Sequence, residues 1–410
     1  MSNVLHPMVV GLNRDLYEPL VLFYWPNPYR ERFEAMGIKT MLFDKPRAWR
    51  HPGPVAQLQK SELVKGIQRG KDGRSALYYA LGSYVRLSYC IPQILRLAEL
   101  IKISGADLVH LNRDPAVYGR EIVLASKLAG TPVICYAQNF SEFQSVDRQI
   151  ARFVDQYVFC SDAIGEHCVT QGGAVLARSL TIYPGVADVE KWSKPYDTFE
   201  VRRELGWSDE DFVVGNIGRL VSWKGQDVFL KALAEAKREI PDIKGLVVGG
   251  PIEPAGEQDE QPALFYKQLL ALTESLGIRD NVHFTGFRSD IPQIMASIDV
   301  LAHSSSEPEP FATVVIEGMM AGRPVVAVNA GGMPEMIEDG VTGRLVPTKD
   351  PRAMAQAILL YYRDRTLTKQ VAMAGQRMAT TQLTAQRHID KFHTLYHTLL
   401  SNSTGPRQTV

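Results

Sequence analysis

Short apolar runs alternate with amphipathic stretches along nearly the whole 410-residue chain. The runs predict strands near Glu18–Tyr24, Thr40–Phe43, Asp107–Leu111, Pro132–Tyr136, Gln156–Cys160 and Leu180–Pro184. A second series falls at Phe212–Ile217, Gly245–Val248, Val282–Gly286, Val300–His303, Pro324–Val328 and Gly343–Val346. The first series is interleaved with predicted helices at Tyr29–Met36, Ser75–Ile103 and Gly119–Leu128. The second carries Asp227–Glu239, Ala263–Leu276, Pro292–Ala296, Thr313–Ala321, Arg352–Leu360 and Thr368–Met378. In Asp227–Glu239 the residues Val228, Phe229, Ala232, Leu233 and Ala236 recur on one side, the signature of a helix with one buried face. Runs that are apolar throughout, rather than alternating, predict parallel strands covered by helices on both faces. Six strands in each half predict an α/β chain of two doubly wound domains, with the polar stretch Asp188–Phe199 as the linker. Ligands of such sheets bind beyond the carboxyl ends of the strands.

The segment richest in chemistry runs from Ser304 through Glu309-Pro-Phe-Ala-Thr to Glu317 and on to Ala321-Gly-Arg-Pro-Val-Val-Ala. It passes from a strand end through a polar loop into a helix. Glu309 lies in the loop and Glu317 eight positions later, about one turn into the helix, so two carboxylates can face one cavity from two levels. The free backbone N–H groups at the helix start, from Phe311 through Ala312 to Thr313, favour an anion there. Hydroxyl-rich ligands need carboxylate acceptors, and phosphates need N–H donors and cations. This one segment supplies both kinds of group.

Composition narrows the classes. Forty-five basic residues balance 45 acidic ones, so no net field draws the chain to nucleic acid. At 22% charged and 45% hydrophobic residues the chain is an ordinary globular one. No run approaches the roughly 18 apolar residues of a membrane span. The first thirty residues lack the pattern of an export signal, and cysteines 90, 135, 160 and 168 follow no metal-ligand spacing, which predicts reduced thiols in a cytosol. Between Lys45 and Arg74, eight basic residues face two acids, with Trp49, Leu58, Leu63, Val64 and Ile67 interleaved. Such a segment suits either a solvated loop and helix face or an anionic membrane surface.

The spacing Glu309-x7-Glu317 with its flanks resembles the signature of retaining glycosyltransferases of the GT-B fold, family 4. Three further segments match in order: Gly215-Asn-Ile-Gly-Arg-Leu-Val-Ser-Trp-Lys-Gly, Val282-His-Phe-Thr-Gly-Phe-Arg and Asn329-Ala-Gly-Gly-Met-Pro-Glu. The resemblance implies two Rossmann-like domains facing across a cleft. The first, residues 1–187, would take the acceptor, with 382–402 returning to it as a helix. The second, 200–380, would take the nucleotide sugar. It implies that Glu317 holds the ribose and Glu309 the transferred sugar, with Phe311, Ala312 and Thr313 at the helix start. Gly218, Arg219 and Lys224 would meet the diphosphate, and Phe287 and Arg288 the base. Gly331 and Gly332 fit either a close backbone approach to a ligand or a turn. The resemblance implies sugar transfer to a saccharide or lipid-linked hydroxyl acceptor, with no metal and no cofactor, in bacterial surface polysaccharide or glycolipid synthesis. A cytoplasmic setting, at the inner face of the membrane, goes with it. Same-fold readings are an epimerase acting on the nucleotide sugar and a silent subunit that only binds it.

The chain departs from the family in two places. The resemblance implies a strand and a glycine-rich loop ahead of Asn3–Leu12, about 20 residues by ordinary element lengths, so the first N-terminal strand is missing from this sequence. At the end of Pro132–Tyr136 the family carries a histidine beside the sugar, where this chain has Gln138. Glutamine can hydrogen-bond a hydroxyl but cannot titrate near neutral pH. His110, also at a strand end, fits a core histidine, and His388, His393 and His397 on the last predicted helix fit surface positions.

Overall fold

The computed structural model describes residues 5–24, 26–43, 76–116, 119–250 and 260–403. The basic segment from Lys45 to Arg74 therefore lies outside the described residues, as does the polar tail beyond 403. All twelve apolar runs are strands: β1 Leu20–Phe23, β2 Lys39–Leu42, β3 Val109–Leu111, β4 Val133–Ala137, β5 Gln156–Phe159, β6 Ser179–Thr181, β7 Val213–Ile217, β8 Lys244–Val248, β9 Val282–Gly286, β10 Val300–His303, β11 Val325–Val328 and β12 Arg344–Val346. The helices of the first half are α1 Leu5–Val10, α2 Pro28–Ala35, α3 Ala76–Ser104, α4 Arg120–Ala129, α5 Ser145–Ala151 and α6 Asp162–Thr170. Those that follow are α7 Val189–Ser193, α8 Glu200–Glu204, α9 Gln226–Lys237, α10 Glu260–Ser275, α11 Ile291–Ser297, α12 Thr313–Met320, α13 Met333–Met336, α14 Pro351–Arg363, α15 Arg365–Gln382 and α16 Ala385–Ser403.

Every strand pairing is parallel. The second half forms one six-stranded sheet in the order β12-β11-β10-β7-β8-β9, the doubly wound order in which the winding reverses beside β7. Its inner strands are buried on both faces, as in Val-Val-Ala-Val of β11. The six strands of the first half do not form one sheet. β3-β4-β5-β6 pair with one another, and β1-β2 form a separate pair. Among the described residues no pairing joins β1 or β2 to the sheet that begins at β3. Met8, Val9 and Leu12, in and just after α1, fill part of the core of this half.

Two hydrophobic cores result, and the last helix belongs to the first of them. α16 sends Phe392, Leu395 and Tyr396 into the core built on β4 and β5. The ring of Phe392 lies 5.1 Å from His110, 5.2 Å from Tyr136 and 4.9 Å from His388. His388 is buried and bonds the carbonyl of Tyr183 through Nδ1 at 2.8 Å, which corrects the surface position expected for it. Burial drives its pKa down to about 4. His110 Nδ1 meets the hydroxyl of Tyr396 at 2.6 Å, the core role expected of it.

The chain crosses between the cores twice, and the two crossings are bonded to each other. The N–H of Val186 donates to Leu383 O at 2.9 Å, and that of Ala385 donates to Val186 O at 2.9 Å. Gly185 allows this approach, because a Cβ there would lie 2.1 Å from the Thr384 carbonyl oxygen. The stretch expected as a plain linker holds α7, whose Trp192 packs into the second core. Phe392→Ala should cost about 3–5 kcal/mol, the usual penalty for emptying a buried phenylalanine site. Urea unfolding should show a lower midpoint for Phe392→Ala than for Phe392→Leu, and equal midpoints would contradict this packing.

Candidate active site at the switch point of the second sheet

The loops after β7 and β10, the two strands at which the winding reverses, are stitched together. Ser306 N–H donates to Trp223 O at 2.8 Å, and Ser304 Oγ donates to Lys224 O at 3.0 Å. Beneath them Asn216 Nδ2 donates to Ala302 O at 2.9 Å and to Ser304 Oγ at 3.0 Å. Gly225 closes the first loop with φ +67°, and a Cβ there would lie 2.0 Å from Ser304 O. No other residue could make this turn so close to a neighbouring backbone.

This seam brings Lys224 from one strand end against Glu309 from the other. Their ion pair is buried, with side-chain exposures of 16% and 6%. Glu309 Oε1 accepts from Lys224 Nζ, from Ser305 Oγ and from His303 Nε2, the last at 3.1 Å. Burial by itself would raise the Glu309 pKa, but the His303 hydrogen bond and the Lys224 charge outweigh it and hold the carboxyl well below its ordinary range. A buried acid so compensated stays ionised.

The loop carrying Glu309 is packed from below by the turn before α13. Gly332 N–H donates to Glu309 O at 2.9 Å. A Cβ on Gly331 would lie 2.1 Å from Glu309 O, and one on Gly332 would lie 2.1 Å from Pro310 O. The two glycines therefore serve a close approach between two loops of the protein. Above, α12 begins at Thr313 with Ala312 as its N-cap, and no side chain caps it. Glu317 stands one turn in. Burial pushes its pKa up to about 7, against the opposing pull of Lys191 on α7.

The remaining expected residues divide. Arg219 is exposed and lies over the Trp223 ring at 5.5 Å, with Lys224 over the same ring at 4.8 Å. Gly218 meets the turn after β8, where a Cβ on Gly249 would lie 1.9 Å from Gly218 O. Phe287, at the end of β9, leaves its ring 84% exposed beside that turn. Arg288 does not offer its guanidinium to a ligand, because Glu204 and Asp290 hold it at 2.6 Å each. In the first domain Gln138 Nε2 donates to Asn112 Oδ1 on the neighbouring strand end.

Several residues of the site were given no role by the sequence: Ser305, Trp223 and Glu335, which lie inside the matched segments, and His303, Lys191 and Tyr183. Glu335 reaches from α13 into the other domain, where its carboxylate accepts from the N–H groups of Asp162 at 2.7 Å and Ala163 at 3.0 Å. The Tyr183 hydroxyl bonds the same carboxylate, and the Tyr183 ring stacks on Phe311 at 5.5 Å. A strand as apolar as Val300-Leu-Ala ending in His303 is the one signal in the sequence that could have pointed to a buried polar group here.

Among the described residues no group of three His, Cys, Asp or Glu could hold a metal ion, and no helix is long and apolar enough to cross a membrane. None of the four cysteines forms a disulfide among the described residues.

The fold is GT-B, two Rossmann-like domains facing across a cleft. It is shared with Anabaena HepE solved with UDP-glucose, at TM-score 0.71 and 25% identity over 96% of this chain and 94% of that one. A glycosyltransferase from Rickettsia africae has the same fold at TM-score 0.77 and 18% identity, covering 97% and 94%. Residues 197–378, which carry the site, match glycosyl transferases group 1. The D-inositol 3-phosphate glycosyltransferase of Mycobacterium sp. (strain KMS) is 32% identical over 214 residues, 52% of this chain and 46% of that protein. The Corynebacterium urealyticum protein of that name is 37% identical over 188 residues, 44% and 42% of the two chains. The chain thus spans about half the length of the curated relatives it matches.

The raised Glu317 pKa makes stability depend on pH. The folded protein keeps a proton that the unfolded chain has released between about 4.5 and 7, so stability is fullest below that window and falls as pH rises through it. Glu317→Gln removes this loss. It should match wild type near pH 4.5 and exceed it at pH 8 by up to about 3 kcal/mol, at 1.36 kcal/mol per pH unit. Melting temperatures of both proteins across this range would test it, and a difference that does not grow with pH would refute it.

Proposed function

We propose that the protein transfers a sugar from a nucleoside diphosphate donor to a hydroxyl acceptor, retaining the anomeric configuration and using no metal. The observation that carries the reading is the meeting of Lys224 and Glu309 beside an uncapped helix start, which gathers a cation, an acid and free N–H donors in one place. Arg219, Lys224 and Gly218 would bind the diphosphate, with the N–H groups of Phe311, Ala312 and Thr313. Glu317 would accept from ribose hydroxyls and Glu309 from the sugar. Phe287 would lie against the base, with Arg288 contributing only backbone. Gln138 would face the sugar from the first domain.

In this reaction the bond from the anomeric carbon to the diphosphate oxygen breaks, and a bond from that carbon to the acceptor oxygen forms on the same face. The acceptor proton passes to the departing diphosphate, so no titrating side chain is required at Gln138. The cations and N–H donors stabilise the charge that grows on the leaving group. Domain closure would exclude water and protect the donor from hydrolysis. UDP-glucose is the first donor to try, since HepE binds it at 25% identity.

A thermal-shift screen of nucleotide sugars tests the reading. At least one nucleoside diphosphate sugar should stabilise the wild type, with the shift lost in Lys224→Ala and Glu317→Ala. No stabilising ligand among the uridine, guanosine, adenosine and thymidine sugars would sink it, and conversion of donor alone to an isomer would select the epimerase.

We place the activity at the cytoplasmic membrane face, in surface polysaccharide or glycolipid synthesis, because the segment from Lys45 to Arg74 carries a net charge of +6 with interleaved apolar residues. Co-sedimentation with phosphatidylglycerol vesicles but not with phosphatidylcholine vesicles is expected. Equal binding to both would remove this placement.

A further inference from the structure

We infer that His303 is a positioning residue for the sugar-binding acid: with Ser305 it holds the Glu309 carboxylate in place when Lys224 turns to the diphosphate. This rests on the donor-binding role proposed above for Lys224 and Glu309.

The geometry has three parts. First, the three donors to Glu309 all meet Oε1, which leaves Oε2 as the acceptor for a ligand hydroxyl. Second, only one of the three is mobile. Lys224 ends a long flexible chain, whereas His303 closes β10 and Ser305 follows two residues on, both buried on the rigid strand end. Third, His303 has no other polar task. Its Nε2 faces Glu309 at 3.1 Å and Ser305 Oγ at 3.2 Å, and its Nδ1 is buried without a hydrogen bond.

A histidine kept only for packing would not fit this site. Burying an imidazole with one nitrogen unsatisfied is costly, and the rest of β10 is Val-Leu-Ala. The imidazole is retained where its one engaged nitrogen meets an ionised, 4%-exposed glutamate.

Lys224 cannot serve Glu309 and a diphosphate equally. When a donor enters, its two phosphates compete for the ammonium, and Glu309 is left as a buried acid with fewer partners. Alone it would swing toward the lysine or take up a proton, and in either case lose its grip on the sugar. Two fixed donors on Oε1 prevent this, and keep Oε2 directed at the ligand. His303 then acts on the sugar-dependent part of binding and leaves the nucleotide-dependent part alone.

The test measures those two parts separately in the full chain. Calorimetric affinities would be taken for UDP-glucose, UDP-N-acetylglucosamine and GDP-mannose, each against its own nucleoside diphosphate. In wild type, at least one sugar should raise affinity over its diphosphate. His303→Leu should bind UDP and GDP within threefold of wild type, while the gain from the sugar falls at least tenfold or vanishes. His303→Gln, which returns an amide N–H near the position of Nε2, should restore the gain to within threefold. A wild-type gain in His303→Leu overturns the proposal, as does a His303→Gln protein no better than His303→Leu while both bind the diphosphate. Should His303→Leu fail to fold, Ser305→Ala removes the second fixed donor, and a gain reduced at least threefold is expected. An undiminished gain in Ser305→Ala would then overturn the assignment. Wild type that binds none of the diphosphates defeats the functional reading itself. Wild type that binds them but gains nothing from any sugar defeats the role of Glu309, and that of His303 with it.

Discussion

A carboxylate inside a protein must be surrounded by donors or give up its charge. Glu309 is such a carboxylate, and the switch point of the second sheet is organised around it. Lys224 reaches it only because the loop after β7 lies against the end of β10. That loop lies there because Gly225 turns at φ +67° with no side chain to strike Ser304. The polar ends of otherwise apolar strands, Asn216 on β7 and His303 on β10, join the two loops and supply the remaining bonds. Removing any one partner leaves a buried charge or a buried donor exposed to no solvent, so the arrangement is cooperative.

The doubly wound sheets place this seam on a fixed platform. β7 and β10 are neighbours in space, although residues 218–299 separate them in the chain. An acid and a cation 85 positions apart thus become one ion pair. Nearby, burial has the opposite effect on Glu317. Desolvation prevails over the pull of Lys191, and the group moves toward neutrality. Two glutamates eight residues apart thus stand in opposite electrostatic conditions, one compensated by its neighbours and one pushed toward neutrality by burial.

Much of this was legible in the sequence, for identifiable reasons. Strands buried on both faces, such as β4, β10 and β11, read as unbroken apolar runs, and a helix such as α9 shows its inner face in the period of Val228, Phe229, Ala232, Leu233 and Ala236. The Glu309 and Lys224 segments stood out because spacing and flanks are local properties. What depends on distant contact was hidden. The pairing of the Arg288 guanidinium with Glu204, 84 positions away, is of this kind. His388 looked like one of three surface histidines, but α16 turns that face into the first core against Tyr136 and Phe392. The linker hid α7 because five residues carry too short a pattern to mark a helix, although Trp192 anchors it. The split of the first sheet was half visible: each strand could be read, but pairing between β1 and β3 is a matter of space.

The same glutamate is also tied to the opposite domain. Gly332 bonds the carbonyl of Glu309, and three residues later Glu335 caps the start of α6 across the cleft. Between them the Tyr183 ring lies on Phe311, and its hydroxyl joins the Glu335 carboxylate. Tyr183 sits just before the crossing at Gly185, where the two passages of the chain are bonded together. Crossing, helix start and site acid therefore form one connected set of short contacts. A rotation of one domain against the other must either break the Glu335 bonds to α6 or carry the loop under Glu309 along with it.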